Sequence, residues 1–171
     1  GGAGGRGGRQ VRYDSCAGVG SIGIALAAGA REVVAIEIVP EAVEDAIRNA
    51  RANGITNHTA LCGDVGVVLR EHRGSLPPPD VAIVDPPRGG LPGRAVRRIL
   101  DLAPPTLVYV SCQPTTLADN PARFVARRYA LPRVRPVAMF PQTPHLAAVA
   151  RSPRCARLAR SVRPLALAAV H

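Results

Sequence analysis

The stretch Asp14-Ser15-Cys16-Ala17-Gly18-Val19-Gly20-Ser21-Ile22-Gly23 follows a short apolar run and precedes a helical pattern. It contains the sequence G-x-G-x-x-G, whose glycines let a ligand approach the backbone where the amides of a helix begin. An acid, Asp14, stands four residues before the first glycine. We therefore expect a strand, a ligand-binding turn and a helix, in this order. The alternative is that the glycines serve only a tight strand-to-helix turn.

Apolar runs alternate with helical patterns along the rest of the chain, which is typical of βαβ units and a mostly parallel sheet. Strands are predicted at Gln10–Asp14, Val33–Glu37, Thr59–Cys62, Val81–Asp85 and Leu107–Ser111, with Arg133–Phe140 and His145–Ala150 as an antiparallel pair that closes the sheet. Helices are predicted at Ile22–Ala28, Pro40–Asn53, Gly66–His72, Arg94–Leu102 and Thr115–Arg128. The helix at Pro40 is the best marked, because proline suits the first helical position and Gly54 suits the end.

The length of 171 residues suits one domain with a proper core. Residues 1–9 are rich in glycine and arginine and are predicted to be a disordered leader, residues 10–150 a catalytic domain, and residues 151–171 a basic tail. Arginines recur at every third position of that tail from Arg151 to Arg163. This spacing indicates either a disordered tail or a basic amphipathic helix that contacts phosphates.

The net charge of +10 suits a polyanionic partner such as RNA. All of the positive charge is arginine, a usage equally compatible with a GC-rich genome. The four cysteines are far apart, so neither a zinc site nor a disulfide framework is indicated. No stretch approaches about 20 apolar residues, and no signal peptide is recognisable. We therefore expect a cytoplasmic protein that binds no metal and no membrane.

Further acids follow the other predicted strands. Glu37 ends the second strand and could bind a ribose hydroxyl, and Asp64 follows the third and is well placed for an adenine amino group. Asp85 heads the stiff loop Asp85-Pro86-Pro87 after the fourth. An acid at Asp14 would repel a pyrophosphate but attract an ammonium group. The set therefore favours S-adenosylmethionine over NAD, although an NAD-dependent oxidoreductase remains an alternative that rests on G-x-G-x-x-G alone.

The stretch Leu107-Val108-Tyr109-Val110-Ser111-Cys112 places a cysteine at the end of a predicted strand, before the helix-start residues Pro114-Thr115-Thr116. The first turn of a helix lowers the pKa of a thiol and so favours the reactive thiolate. Cys112 is therefore a candidate nucleophile. The alternative is a buried structural thiol.

Four segments in this order resemble the RNA 5-methyluridine methyltransferases of the TrmA/RlmD type: Asp14–Gly23, Asp85–Leu91, Tyr109–Leu117 and Met139–Leu146. The resemblance implies a class I (Rossmann-like) methyltransferase with a mostly parallel seven-stranded sheet and helices on both faces. It implies S-adenosyl-L-methionine as methyl donor and a uridine of tRNA or rRNA as substrate. By this resemblance Cys16, Ser21, Glu37, Asp64 and Asp85 contact the cofactor, and Asp14, Gly18 and Gly20 of the glycine-rich turn complete the predicted set. Cys16 stands where an aromatic residue is usual.

The resemblance also implies the chemistry: the Cys112 thiolate adds to C6 of uracil, and the C5 that this activates accepts the methyl group. A base must then remove the C5 proton, and the family uses a glutamate where this chain has Ala147. Ala138 likewise replaces an expected acid, and this sequence contains no counterpart of the family's upstream RNA-binding parts. We expect impaired turnover. His145 is a candidate substitute base, although a histidine near the start of a strand is more often structural. The alternative is a non-catalytic module that binds the cofactor or RNA.

Overall fold

A computed structural model describes residues 10–87, 89–111, 129–130, 133–138 and 146–154, with the backbone alone at 111, 133–138 and 146–148. Seven strands form one sheet in the order β3-β2-β1-β4-β5-β7-β6. The strands are β1 (Val11–Ser15), β2 (Glu32–Glu37), β3 (His58–Cys62), β4 (Val81–Val84), β5 (Thr106–Ser111), β6 (Arg133–Ala138) and β7 (Leu146–Pro153). The described helices are α1 (Ser21–Ala27), α2 (Pro40–Ala52), α3 (Val65–Glu71) and α4 (Gly93–Leu102).

The five strands β1 to β5 run parallel, and β7 is antiparallel to both of its neighbours, β5 and β6. The predicted mostly parallel seven-stranded α/β sheet is therefore confirmed, including its antiparallel pair. β1 pairs with both β2 and β4. The chain adds β2 and β3 on one side of β1 and then β4 and β5 on the other side, so the strand order reverses between β1 and β4. Open α/β sheets bind their ligands at such a reversal, beyond the carboxyl ends of the strands.

The last strand departs from the prediction. β7 continues to Pro153, and Arg154 forms an isolated bridge with Tyr129. The position after Ala150 at which the basic tail was predicted to begin therefore falls inside a strand. The arginines led to the prediction of a tail, but a strand near the edge of a sheet also tolerates charged side chains.

Local sequence explains the helix limits. α2 begins with Pro40, carries Glu41 in its first turn and Arg51 in its last, and is followed by Gly54 in a left-handed conformation (φ 67°). α3 begins after Asp64, whose side chain accepts a hydrogen bond from the amide of Val67 at 3.1 Å. Both starts lie directly beyond strand ends, so the first turns of the helices border the carboxyl edge of the sheet.

Both faces of the sheet are covered. Val34 and Ile36 of β2 pack with α3 and α4 in the larger hydrophobic cluster, whereas Val33 packs with Ala27 of α1 on the opposite face. Alternate residues of a strand point to opposite faces, so β2 contributes to both cores. The predicted helix Thr115–Arg128 lies outside the described residues.

Candidate cofactor and active site

A cavity of about 420 Å³ opens at the carboxyl ends of the parallel strands. Four of the predicted cofactor residues line it, one after or at the end of each of the strands β1 to β4: Cys16, Glu37, Asp64 and Asp85. The amide of Asp85 donates to the carbonyl of Ser15 at 3.2 Å, which ties the loop after β4 to the end of β1. The fold thus brings together acids that are separated by up to 48 positions in the chain.

Asp14 lies beneath the glycine-rich turn and is fully buried. Its Oδ2 accepts a hydrogen bond from the amide of Gly23 at 2.9 Å, while Oδ1 has no hydrogen-bond partner among the residues that the structure describes. Burial raises the pKa of the carboxyl to about 6; the Gly23 bond opposes this rise, and the charges of Asp85 and Glu37 add to it. A buried acceptor without a donor is costly unless something satisfies it.

Glu37 holds the turn from the side. Its Oε2 accepts from the amide of Gly18 at 2.8 Å, and its Oε1 accepts from the amides of Ile38 and Val39 at 2.8 and 3.0 Å. The carboxylate therefore links the glycine-rich turn after β1 to the chain leaving β2. This fixes the shape of one wall of the cavity.

The remaining predicted cofactor residues, Gly18, Gly20 and Ser21, lie in the turn and at the start of α1 and are not part of the cavity lining. Gly20 has φ 85°, and a Cβ there would lie 3.0 Å from Cβ of Ala46 in α2. This position is therefore restricted to glycine by both conformation and packing. The roles predicted for all eight residues stay predictions.

Cys16 follows β1 in a left-handed conformation (φ 64°), which is uncommon for a residue other than glycine. Burial raises the pKa of its thiol to about 12, and the charges of Glu37, Asp85, Asp14 and Asp64 add to the effect. The surroundings of Cys16 therefore favour the neutral thiol over the thiolate.

Asp64 and Asp85 differ in their surroundings. The pKa of Asp64 is lowered, first by its hydrogen bond with Arg94 and also by the amide of Val67. The pKa of Asp85 is raised by burial. Asp64 is thus a stable anion, whereas Asp85 lies in a site that favours a cationic or hydrogen-bond-donating partner.

The structure adds residues that sequence reasoning missed. Ile38 and Val39 line the cavity although their side chains are 62% and 46% exposed, and Arg94 of α4 forms an ion pair with Asp64. His58 lies beneath the turn, since a Cβ on Gly23 would be 3.0 Å from its Nε2 and 3.1 Å from Oδ2 of Asp14. The sequence could have indicated Ile38 and Val39, because two apolar residues directly follow the predicted site residue Glu37. Arg94 and His58 had none, because their placement depends on packing between distant elements.

The candidate nucleophile Cys112 and the candidate base His145 lie outside the described residues. Ser111, the residue before Cys112, ends β5 and pairs with Ala148 of β7. On the other side of β7, Ala147 pairs with Val137, and Leu146 pairs with Ala138. The two positions at which an expected acid is replaced by alanine therefore occupy adjacent register positions of the β6–β7 pair. Ala147 lies on the strand next to β5, and Ala138 lies one strand further out.

The chemistry of the cavity fits S-adenosyl-L-methionine. Its methionine part carries cationic groups, and its adenosine part carries hydroxyl and amino donors, which suit the carboxylates of Glu37, Asp64 and Asp85 in the cavity lining. The exposed apolar side chains of Ile38 and Val39 suit the face of an aromatic base. The pyrophosphate of NAD would be repelled by Asp14, Glu37, Asp64 and Asp85.

Within the described ranges, no group of three or more histidine, cysteine or acidic side chains could hold a metal ion. None of the helices that the structure describes is long and apolar enough to cross a membrane.

A family model described as RNA cap guanine-N2 methyltransferase matches residues 9–105. An uncharacterized RNA methyltransferase of Staphylococcus aureus (strain MRSA252) is 41% identical over 143 residues, which are 84% of this chain and 31% of that protein. A similar protein of Protochlamydia amoebophila (strain UWE25) is 46% identical over 139 residues, or 80% of this chain and 31% of the relative. The chain thus spans about a third of the length of these curated relatives.

Among solved structures, the chain is similar to the Pyrococcus abyssi tRNA (uracil-54, C5)-methyltransferase in complex with S-adenosyl-L-homocysteine. The TM-score is 0.68 and the identity 33%, over 85% of this chain and 34% of that one. The sheet order and the acid-lined cavity define the Rossmann-like class of S-adenosylmethionine-dependent methyltransferases. Within that class, the chain belongs to the RNA methyltransferases, as its resemblance to the TrmA/RlmD type predicted.

Proposed function

We propose that this chain is the catalytic domain of an enzyme that methylates C5 of a uridine in tRNA or rRNA. The observation that carries the proposal is the 33% identity, over 85% of the chain, to a tRNA (uracil-54, C5)-methyltransferase. Four ordered sequence segments that resemble the same family also support it. A cytoplasmic location, where such RNA is processed, stays part of the proposal.

Different residues of the site bind different parts of the cofactor. Asp64 accepts the adenine amino group, Glu37 the ribose hydroxyls, and Ile38 with Val39 covers the base. Asp85 in the cavity lining and Asp14, buried beneath the turn, provide negative charge for the cationic methionine part, since both lie beside the strand reversal. When bound, S-adenosyl-L-methionine supplies the electrophilic methyl group for C5.

Cys112 is the proposed nucleophile. Its thiolate forms a bond to C6 of the uracil, which pushes electron density to C5 and makes that carbon nucleophilic. Once C5 is methylated, loss of the C5 proton to a base restores the ring double bond and breaks the bond between sulfur and C6. A uridine inside a folded RNA must leave its stack to reach the Cys112 thiol.

The release step is where this chain is weak. Alanine cannot act as a base, and both Ala147 and Ala138 stand where the family has acids. The backbone at Ala148 pairs with Ser111, so an acid at position 147 would lie one strand from the nucleophile segment. We therefore expect the methylated adduct on Cys112 to form and to resolve slowly.

Two other functions have an observation in their favour. The family model described as RNA cap guanine-N2 methyltransferase favours methylation of a guanine amino group, which needs no cysteine nucleophile. Its match ends at residue 105, before Cys112, and so covers the strands and helices around the cofactor cavity. The alanines at 138 and 147 favour a non-catalytic module that binds the cofactor or RNA.

Intact-mass spectrometry of the protein with unmodified tRNA and rRNA fragments and S-adenosyl-L-methionine tests the proposal. The wild type should accumulate a protein–RNA adduct that carries one extra methyl group, and Cys112→Ser should form none. Ala147→Glu should shorten the life of the adduct, whereas Ala148→Glu, the neighbouring position, should not. The released nucleoside should be 5-methyluridine.

Each alternative has its own result. Formation of N2-methylguanosine, to the same extent in Cys112→Ser as in the wild type, would support methylation of a guanine amino group. Retained cofactor binding without any methylated RNA would select the non-catalytic module. Rapid multiple turnover of the wild type without an adduct would contradict the role given to Ala147.

A further inference from the structure

Asp64 is held by two hydrogen bonds, one from each of two helices. Its Oδ1 accepts from the amide of Val67 in α3, and its Oδ2 accepts from Nη2 of Arg94 in α4 at 3.1 Å. The side chain of Asp64 is 18% exposed, and that of Arg94 is 69% exposed. Arg94 thus reaches from solvent to the one acid of the cavity whose pKa is lowered.

Close packing of the two helices makes this contact possible. A Cβ on Gly66 would lie 3.2 Å from Oδ1 of Asp64 and 3.3 Å from both Cγ of Arg94 and the amide nitrogen of Ala95. Any larger residue at Gly66 would push the start of α4 away from Asp64. The absence of a side chain at Gly66 therefore allows Arg94 to approach Asp64.

The ion pair lies at the border of the cavity. Asp64 and Val65 line it from the α3 side, and Pro92 and Ala95, which flank Arg94 in sequence, line it from the α4 side. A carboxylate oxygen has two acceptor sites, so Oδ2 can accept from Arg94 and from a second donor at the same time. Arg94 fixes the orientation of the carboxylate without using up its capacity.

We propose that Arg94 is a positioning residue for the cofactor, because its guanidinium orients the Asp64 carboxylate toward the amino group of the adenine. This inference rests on the proposed function, in which Asp64 recognises the adenine. Arg94 itself need not touch the cofactor. Its effect is therefore specific to ligands whose base carries an amino group.

Calorimetric titration with S-adenosyl-L-homocysteine and with its inosine analogue, in which a carbonyl replaces the amino group, tests the proposal. Arg94→Ala should weaken binding of the adenosine ligand about three- to fivefold, as expected for loss of an exposed ion pair. Binding of the inosine analogue should change by less than about twofold. Arg94→Lys keeps a cation near Asp64 and should recover most of the affinity.

Arg97→Ala is the matched control, because Arg97 is exposed on the same helix and its replacement removes the same charge. It should leave both affinities unchanged. Equal effects of Arg94→Ala and Arg97→Ala, equal losses for the two ligands, or tighter binding by Arg94→Ala would overturn the proposal. A folded wild type that binds neither ligand would overturn the proposed function itself, which separates the two failures.

Discussion

The two edges of the same parallel sheet use charged residues in opposite ways. At the amino edge, Asp80 accepts the amide of Val11 at 2.8 Å, and Arg12 donates to the carbonyls of Leu26 and Gly29 at the end of α1. At the carboxyl edge, Asp14 is fully buried with one oxygen unsatisfied among the described residues. Backbone groups satisfy the charged side chains at the first edge, whereas Asp14 near the second edge keeps one unsatisfied oxygen at a cost in stability.

This difference separates structural charge from functional charge. An acid whose oxygens meet backbone donors stabilises the fold wherever it lies in the sequence. An acid that is buried without a donor destabilises the folded state unless it is protonated or meets a ligand. Asp14 lies near the carboxyl end of β1, and Asp80 directly precedes the amino end of the neighbouring strand β4. Variants at these two acids therefore test the idea.

The largest expected effect concerns pH. The pKa of Asp14 is about 6 in the folded protein, above its ordinary value near 3.9, so the folded state binds this proton more tightly. The stabilisation is fully present below about pH 4 and is lost as the pH rises through about 6. The total loss is on the order of 3 kcal/mol in the free energy of unfolding. Urea denaturation of the wild type and Asp14→Asn at a series of pH values measures it.

The asparagine variant should lack this part of the pH dependence, since it cannot bind the proton. The comparison between the two proteins removes the contributions of other titrating groups. Parallel stability curves for the wild type and Asp14→Asn would contradict the raised pKa.

The second effect is on cofactor affinity. Asp14→Asn keeps an acceptor for the amide of Gly23 but removes the negative charge beneath the turn. Affinity for S-adenosyl-L-methionine at pH 7.5 should fall about tenfold or more, in the range expected for a charged hydrogen-bond partner. Asp80→Asn makes the same change of charge at the other edge and should leave the affinity intact. Similar losses in both variants would show a general effect of net charge.

The smallest effect belongs to the amino edge. Asp80→Ala removes the acceptor of the Val11 amide and should lower the free energy of unfolding by about 1 to 2 kcal/mol. Cofactor affinity, measured by calorimetry on the folded variant, should not change. A loss of affinity without a loss of stability would mean that the two edges are not separate.

Much of the fold follows from local patterns. The predicted strands β1 to β5 and helices α1 to α4 agree with the structure to within about two residues, because apolar periodicity and helix-end residues are local signals. The length of β7 did not follow, since its arginines resemble those of a tail while its backbone pairs with β5 and β6. Pairing between distant strands overrides composition.

The sequence by itself determined the glycine-rich turn, the acids at successive strand ends and the alanines in place of family acids. Parallel strands put their carboxyl ends at one edge, so the order of these residues along the chain was enough to group Glu37, Asp64 and Asp85. Only the tertiary structure decided that Arg94 meets Asp64, that His58 lies beside Asp14, and that Ala138 and Ala147 are neighbours. These contacts depend on helix packing and strand register, which no local pattern encodes.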